Sequence, residues 1–220
     1  MSDDVFNFDL FRDSLRAELA PAETIGAPKG STERRSAAVL VPLFHRDHKP
    51  HVLYTRRSDR LVSHRGQVAF PGGRFDHRYD RDLLAAALRE AQEEVGIEPD
   101  TVEVLGSFPG LRTRSTDIMV TPFVGVIPDL CTWTPDPREV ADIFDVPLTA
   151  LRDPHYRGVY RWQTSGEFRA GLADESRNGR NSLGLLSEHP AILYGDQVIW
   201  GLTYTLTLTF LAILDRIGLE

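Results

Sequence analysis

An α+β fold, in which a mixed β-sheet lies between covering helices, follows from three features of the 220-residue sequence. Strand-length apolar runs occur in clusters, without the regular strand-helix alternation of a wholly parallel sheet. The segment from Asp82 to Val95 carries helical periodicity between a capping aspartate and a glycine. Apolar residues at 41% and charged residues at 26% supply one sizeable core and exclude global disorder.

The elements follow in order. Residues 1–32 read as an N-terminal helix and linker, and residues 33–220 as the main domain. Phe8, Leu10, Phe11, Leu15 and Leu19 give the helix an apolar stripe, and the PAETIGAPKGSTERR that follows is rich in turn formers and lacks periodicity. Ala37 to Phe44 is a continuous apolar run, and after the polar HRDHKP it continues as His51 to Thr55, which predicts a hairpin. Gln67 to Phe70 predicts a strand halted by Pro71-Gly72-Gly73. Further strands are expected at Val102 to Phe108 and Ile118 to Ile127, the second placed at an edge or bulge by Pro122. Residues 137–152 read as helical turns around Val140, Ile143 and Phe144. Gly158 to Trp162 and Ala191 to Tyr194 read as strands, and Ala170 to His189 as a mobile loop. Val198 to Leu214 is the longest apolar stretch. It holds Gly201 and four threonines and falls short of the ~20 residues a bilayer requires, so it predicts a buried amphipathic helix and no membrane span.

A net charge of −7 argues against a nucleic-acid coat or a polybasic membrane binder, which need a basic face, and leaves phosphate-bearing small molecules open. Cys131 is the single cysteine, which excludes a disulfide framework within the chain and a cysteine-rich zinc site. The opening MSDDVFNFDLF is acidic where a secretory signal is basic. A reducing, cytoplasmic setting is therefore expected. The N-terminal helix, set apart by its linker, suggests packing on a second copy and hence a homodimer.

The segment LLAAALREAQEEVG carries the most chemistry. Its alanines and leucines favour helix, Asp80 or Asp82 can cap its start, and Gly96 suits a left-handed C-terminal residue. At ~100° per residue, Leu84, Leu88, Ala91 and Val95 share an arc of about 40° that faces the core. Glu90, Glu93 and Glu94 fill another arc. Carboxylates at this spacing repel by a few tenths of a kcal/mol per exposed pair. Two readings follow: a solvated acidic face partly offset by Arg89, or a site for a hard divalent cation such as Mg²⁺ or Mn²⁺. Just upstream, Gly72 and Gly73 allow a sharp turn and close approach of a phosphate or metal to the main chain.

This combination resembles the box of the Nudix hydrolases, G-x5-E-x7-R-E-U-x-E-E-x-G-U with U apolar. Its second half is present as Arg89, Glu90, Ala91, Gln92, Glu93, Glu94, Val95, Gly96 and Ile97. The first half departs: Arg81 stands where the box has Glu, and Gly73 precedes Arg89 by 16 residues instead of 14, with Asp76, Asp80 and Asp82 in the interval. The preceding LYTRRSDRLVSHRGQVAFPGGRFD, Leu53 to Asp76, is similar to the signature of the coenzyme A pyrophosphatase branch, whose members also lengthen this interval. Pro190 to Tyr194 and Ile199 to Thr203 resemble the branch's closing strand and helix. Leu111 to Ile118 departs from it, so a different ligand recognition is expected there.

The resemblance implies a Nudix-type α/β/α sandwich, with residues 33–220 as the hydrolase domain, and metal-dependent cleavage of coenzyme A or acyl-CoA to 3′,5′-ADP and a 4′-phosphopantetheine species. It implies Glu90, Glu93, Glu94 and the Gly73 carbonyl as ligands of Mg²⁺ or Mn²⁺, with Arg89 orienting the cluster. Glu139 is the candidate base or accessory ligand, its alternative being a helix-start carboxylate. Arg56, Arg57, Arg60, His64, Gln67 and Gly72 form the candidate substrate loop, since Arg binds phosphate bidentately; the alternative is a solvated strand end, and for His64 and Gln67 a role in shaping the loop. Two other functions remain open at this point. One is hydrolysis of another nucleoside diphosphate derivative, such as ADP-ribose. The other is a non-catalytic nucleotide-binding module, whose mark would be substitutions among the glutamates.

Overall fold

The computed structural model describes residues 6–61, 63–113, 116–129, 133–163, 168–170 and 186–218. Helix α1 (Phe8–Glu18) is capped by Asn7, whose side-chain oxygen accepts from the Leu10 N–H at 3.0 Å. There follow β1 (Ser36–Arg46), β2 (Lys49–Arg57), the short β3 (Val68–Ala69) and β4 (Gly72–Arg74), and helix α2 (Leu83–Val95). Next come β5 (Glu103–Ser107), β6 (Leu111–Arg112), β7 (Met119–Val126), β8 (Val140–Pro147) and the short α3 (Leu148–Arg152). The last part comprises β9 (Arg157–Gln163), β10 (Phe168–Ala170), β11 (Leu186–Tyr194), β12 (Gln197–Trp200) and helix α4 (Gly201–Arg216).

Among the described residues, β1 to β8 form one mixed sheet with the central order β3-β2-β1-β7-β5. β1 and β2 make the expected antiparallel hairpin, whereas β1 and β7 run parallel. β1 reads as an unbroken apolar run because both its faces are covered. Ala38, Leu40 and Phe44 pack with Ala87, Ala91 and Val95 of α2, while Ala37, Val41 and Leu43 share the main core with α1 and α4. Helices therefore lie on both faces of the mixed sheet, the α+β arrangement expected. A second, antiparallel sheet, β10-β9-β11-β12, adjoins it.

Helix α1 is part of the main core. Phe11, Leu15 and Leu19 are buried in the cluster that holds Phe210 and Leu214 of α4, and Ala20 and Ser107 exchange backbone hydrogen bonds of 2.9 and 2.8 Å. Of the apolar stripe expected to seek a neighbouring copy, Phe11, Leu15 and Leu19 are thus covered within the chain, whereas Leu10 is exposed.

Several expectations are corrected. Residues 140–147 form β8 and not helical turns, and only residues 148–152 are helical. Val140, Ile143 and Phe144 have helical spacing, but pairing with β2, with Val52 opposite Val146 and Tyr54 opposite Phe144, decides the conformation. Pro122 lies in β7, an interior strand, instead of at an edge. It sits where the β5 ladder has ended at Ser107 and the β6 ladder begins at Leu111, so no partner on that side needs the N–H it lacks. The apolar stretch from Val198 divides between β12 and α4 at Gly201, whose φ is +63°. No helix among the described residues is long and apolar enough to cross a membrane. Of the expected loop from Ala170 to His189, residues 186–189 belong to β11 and 171–185 lie outside the described residues, as does Cys131.

Leu15 has no solvent exposure, so Leu15→Ala should lower the unfolding free energy by ~2–4 kcal/mol, read from urea titration. An unchanged midpoint would show that α1 unfolds independently of the core.

Candidate active site

The site begins where β4 presses against β1. Gly72 and Gly73 pair with Val39 and Ala38, and Gly72 adopts φ +152°, where a Cβ would collide with the Ala38 carbonyl oxygen and the Val39 backbone. With no side chain in the way, the Gly72 N–H reaches across to α2 and donates to Glu94 Oε2 at 3.1 Å. Gly73 lies directly under Glu90, since a Cβ there would occupy the Glu90 carboxylate. Both glycines are thus required by close approach, one of backbone and one of a carboxylate.

Helix α2 begins at Asp82, which caps the Ala85 N–H at 2.8 Å, and ends at Gly96 in the left-handed conformation. Its buried face is rotated from the expected stripe. Leu83, Ala86, Ala87, Ala91, Glu94 and Val95 are buried, and Leu84 and Leu88 lie at the margin. Alanines against the sheet let the helix approach closely, and this rotation carries Glu94 inward to 4% exposure. The three glutamates therefore differ: Glu94 is buried, Glu90 half-buried and Glu93 exposed.

Arg89 ties the cluster together. Its Nε and one Nη donate to the two oxygens of buried Asp80 at 2.8 and 3.1 Å, and the other Nη donates to Glu90 at 2.9 Å and Glu93 at 3.1 Å. Arg89, expected to pair with one of the box glutamates, meets both Glu90 and Glu93, but its main partner is Asp80, which also accepts from the Asp76 N–H at 2.8 Å. The three aspartates of the lengthened interval thus part company: Asp80 anchors Arg89, Asp82 caps α2, and Asp76 chelates Arg78. Arg81 is exposed and pairs only with its neighbour Asp82 among the described residues.

Burial is the largest influence on Glu94 and pushes its pKa up to about 7, against the Gly72 N–H and the Arg57 guanidinium, which favour the ionised form. The charges of Glu90 and Glu139 push it further in the same direction. Glu90 is likewise raised, first by burial, with Glu93 and Glu139 adding to the effect and Arg89 opposing it. Glu139, in the turn before β8, therefore acts on the same space as the α2 glutamates. Its backbone carbonyl accepts from the Ser58 N–H at 2.7 Å, which fixes the turn beside the end of β2.

The candidate substrate loop divides. Arg57 lies 3.6 Å from Glu94 and belongs to the carboxylate cluster. Arg56, one residue earlier on β2, lines a cavity of about 200 Å³ with Val68 and Trp200. Arg60 is exposed, and its backbone N–H donates to Ser58 Oγ at 3.3 Å. His64 and Gln67 bond each other at 2.9 Å, the His64 φ being +57°, so both shape the loop. Gly72 acts through its N–H on Glu94.

All donors in the cluster are oxygens, which suits a hard divalent cation. Among the described residues no three carboxylate, imidazole or thiol groups are gathered closely enough to hold a metal as they stand, Glu93 being held by Arg89. The residues nonetheless fit such an ion. Burial, and after it the charges of neighbouring carboxylates, raise the proton affinity of Glu90 and Glu94, and a cation answers the same excess of negative charge beside Gly73, against whose main chain the Glu90 carboxylate lies.

A family model described as the NUDIX domain matches residues 34–163. A protein of Citrobacter koseri described as "Uncharacterized Nudix hydrolase NudL" is 50% identical over 131 residues, covering 58% of this chain and 67% of its own. Its counterpart from Yersinia enterocolitica is 42% identical over 174 residues, covering 79% of this chain and 78% of its own. A solved MutT/nudix family protein from Enterococcus faecalis aligns with a TM-score of 0.47 at 15% identity, over 95% of this chain and 75% of that one.

Two predictions follow from this geometry. The metal-free protein binds a proton at Glu94 up to a pH of about 7, whereas the unfolded chain releases it near 4.5. Stability should therefore fall as pH rises through that window, by up to ~3 kcal/mol. In chelator, Glu94→Gln should flatten that slope and be the more stable protein at high pH; an unchanged slope in urea titrations would assign the effect elsewhere. Asp80→Asn removes the almost fully buried carboxylate partner of the half-buried Arg89 and should cost ~1–3 kcal/mol in the same assay.

Proposed function

Because the chain belongs to the Nudix family, we propose that it is a metal-dependent pyrophosphohydrolase that cuts coenzyme A or acyl-CoA into 3′,5′-ADP and 4′-phosphopantetheine or its acyl form. The observation that carries this reading is the meeting of two motifs at one carboxylate. Arg57 and Gly72, both from the stretch that resembles the coenzyme A branch, hold the two oxygens of Glu94, which belongs to the glutamate motif.

In the reaction a water oxygen forms a bond to one phosphorus, the bond from that phosphorus to the bridging oxygen breaks, and the bridging oxygen leaves with the electron pair on the other phosphate. When bound by Glu90, Glu93, Glu94 and the Gly73 carbonyl, Mg²⁺ or Mn²⁺ supplies charge neutralisation on the pyrophosphate and a more acidic water. The chain's own contribution is to prearrange these donors. Arg89, locked by Asp80, holds Glu90 and Glu93 on one side. The Gly72 N–H holds Glu94 from the other. Glu139, exposed and within electrostatic reach of Glu90 and Glu94, takes the proton that the attacking water gives up. Arg60 and His64, on the exposed loop beside β2, draw the substrate's phosphates toward the cluster.

The purified protein, incubated with Mg²⁺ or Mn²⁺ and coenzyme A or, in parallel, ADP-ribose, should release 3′,5′-ADP from coenzyme A, identified by mass spectrometry. Glu93→Gln should lower kcat by ~10²-fold or more. Cleavage of ADP-ribose alone would keep the reaction and overturn the substrate. Cleavage of neither, under several metals, would favour a nucleotide-binding module.

A further inference from the structure

We propose that Asp136 is a positioning residue of the hydrolysis: by closing a turn with Arg138 it fixes Glu139 beside the end of α2; this deepens the hydrolase reading above and rests on it, with Glu139 as the base. The need for such a device is visible at Glu139 itself. Its side chain is exposed and, among the described residues, makes no hydrogen bond or ion pair, so the backbone alone decides where its carboxylate stands. A base has to stay within about 3 Å of the proton it takes, and a side chain on a loose segment does not.

Residues 136–139 form the turn. The Asp136 carbonyl accepts from the Glu139 N–H at 3.0 Å and from the Val140 N–H at 2.8 Å. Its carboxylate accepts from the Arg138 N–H at 2.9 Å and chelates the guanidinium, with Nε at 3.0 Å from each oxygen and Nη2 at 2.6 Å from one. Pro137 supplies the φ that the second residue of such a turn requires. The chain builds the same turn once more. Asp76 accepts from the N–H groups of Arg78, Tyr79 and Asp80, and its carboxylate chelates the Arg78 guanidinium through Nε and Nη2. In that copy the fourth residue, Tyr79, stands 71% exposed, and Glu139 holds the same place in the second. The turn therefore projects its fourth side chain into solvent. Chelation also occupies Arg138, a neighbouring cation that would otherwise compete for the Glu139 carboxylate.

Backbone hydrogen bonds fasten this turn to the carboxylate cluster from two sides. The Asp136 N–H donates to the Glu94 carbonyl and the Thr134 N–H to the Val95 carbonyl, each at 3.0 Å, which uses two of the acceptors that the end of α2 leaves open. On the other side the Ser58 N–H donates to the Glu139 carbonyl at 2.7 Å, and Val140, the next residue, lies opposite Arg57, whose guanidinium faces Glu94. Asp136 thus holds the main chain of Glu94 with its N–H and the main chain of Glu139 with its carbonyl. The charge of Glu139 acts on both Glu90 and Glu94 from there. Opening the turn would shift the base relative to the cluster and leave Glu90, Glu93 and Glu94 in place.

The test is a double-mutant cycle on the full chain, read as steady-state hydrolysis of coenzyme A with Mg²⁺, and of ADP-ribose in parallel. Glu139→Gln should lower kcat by ~10²- to 10⁴-fold, the range for a lost base. Asp136→Ala should lower kcat by ~10- to 100-fold, as a displaced group does, with KM changed by less than ~2-fold. Added to Glu139→Gln, the same substitution should cost less than ~2-fold more, because the group it positions is already gone. A merely structural role would cost the same factor in both backgrounds; that result, or an unchanged kcat in Asp136→Ala, would overturn the proposal. Arg138→Ala opens the chelate from its other end and should reproduce the pattern, so the outcome does not hang on the folding of one variant. The two readings fail separately. Coenzyme A cleavage with independent losses keeps the reaction and removes the role of Asp136, whereas cleavage of ADP-ribose alone with coupled losses keeps that role and removes the proposed substrate. Cleavage of neither removes both.

Discussion

A carboxylate that the fold buries before anything neutralises it sets the terms for the rest of this molecule. Glu94 sits on the sheet-facing side of α2 because Ala87 and Ala91 bring that helix close against β1, and at that depth its charge is unfavourable unless it is answered. The surrounding structure answers it only in part, with one N–H from Gly72 and one guanidinium from Arg57. Those two partners fix the glycine loop on β1 and the end of β2, and the remaining imbalance is what makes the cleft attractive to a cation.

Around that centre the chain uses rigidity of two kinds. Asp80 and Arg89 form a bidentate pair whose carboxylate is almost wholly buried, and the guanidinium is thereby pre-aimed at Glu90 and Glu93 with little conformational freedom left to lose. Gly72 and Gly73 supply rigidity through absence, since their contacts with β1 and with Glu90 leave no volume for a side chain. The carboxylate cluster is thus held from the loop side and the helix side at once, by elements both anchored on β1.

The legible parts of the fold were those governed by local chemistry. The helix from Asp82 to Gly96 was readable because its cap, its composition and its glycine agree. The β1–β2 hairpin was readable because its runs are apolar and its turn is polar. What escaped was set at long range. Val140, Ile143 and Phe144 have a spacing that serves helix and strand equally, and only the β2 edge chooses between them. The inward turn of Glu94 depends on how α2 rolls against the sheet, which an arc of side chains drawn on an isolated helix does not contain. Asp80 was visible as an acidic residue in the lengthened interval, and its nine-residue separation from Arg89 concealed the pairing. Arg57, expected among phosphate ligands on account of its charge, is occupied by Glu94.

The single apolar stretch that turns from β12 into α4 at Gly201 joins two tasks in one covalent piece. Trp200 closes the cavity and is also the residue from which α4 starts, and a few turns later Leu206, Phe210 and Leu214 hold the main core. Any replacement at that wall is therefore also a replacement at the root of a core helix. The opposite wall carries an obligation of another kind, because the strand end that presents Arg56 to the cavity also presents Arg57 to Glu94, so neither wall can be refitted without disturbing a second part of the structure.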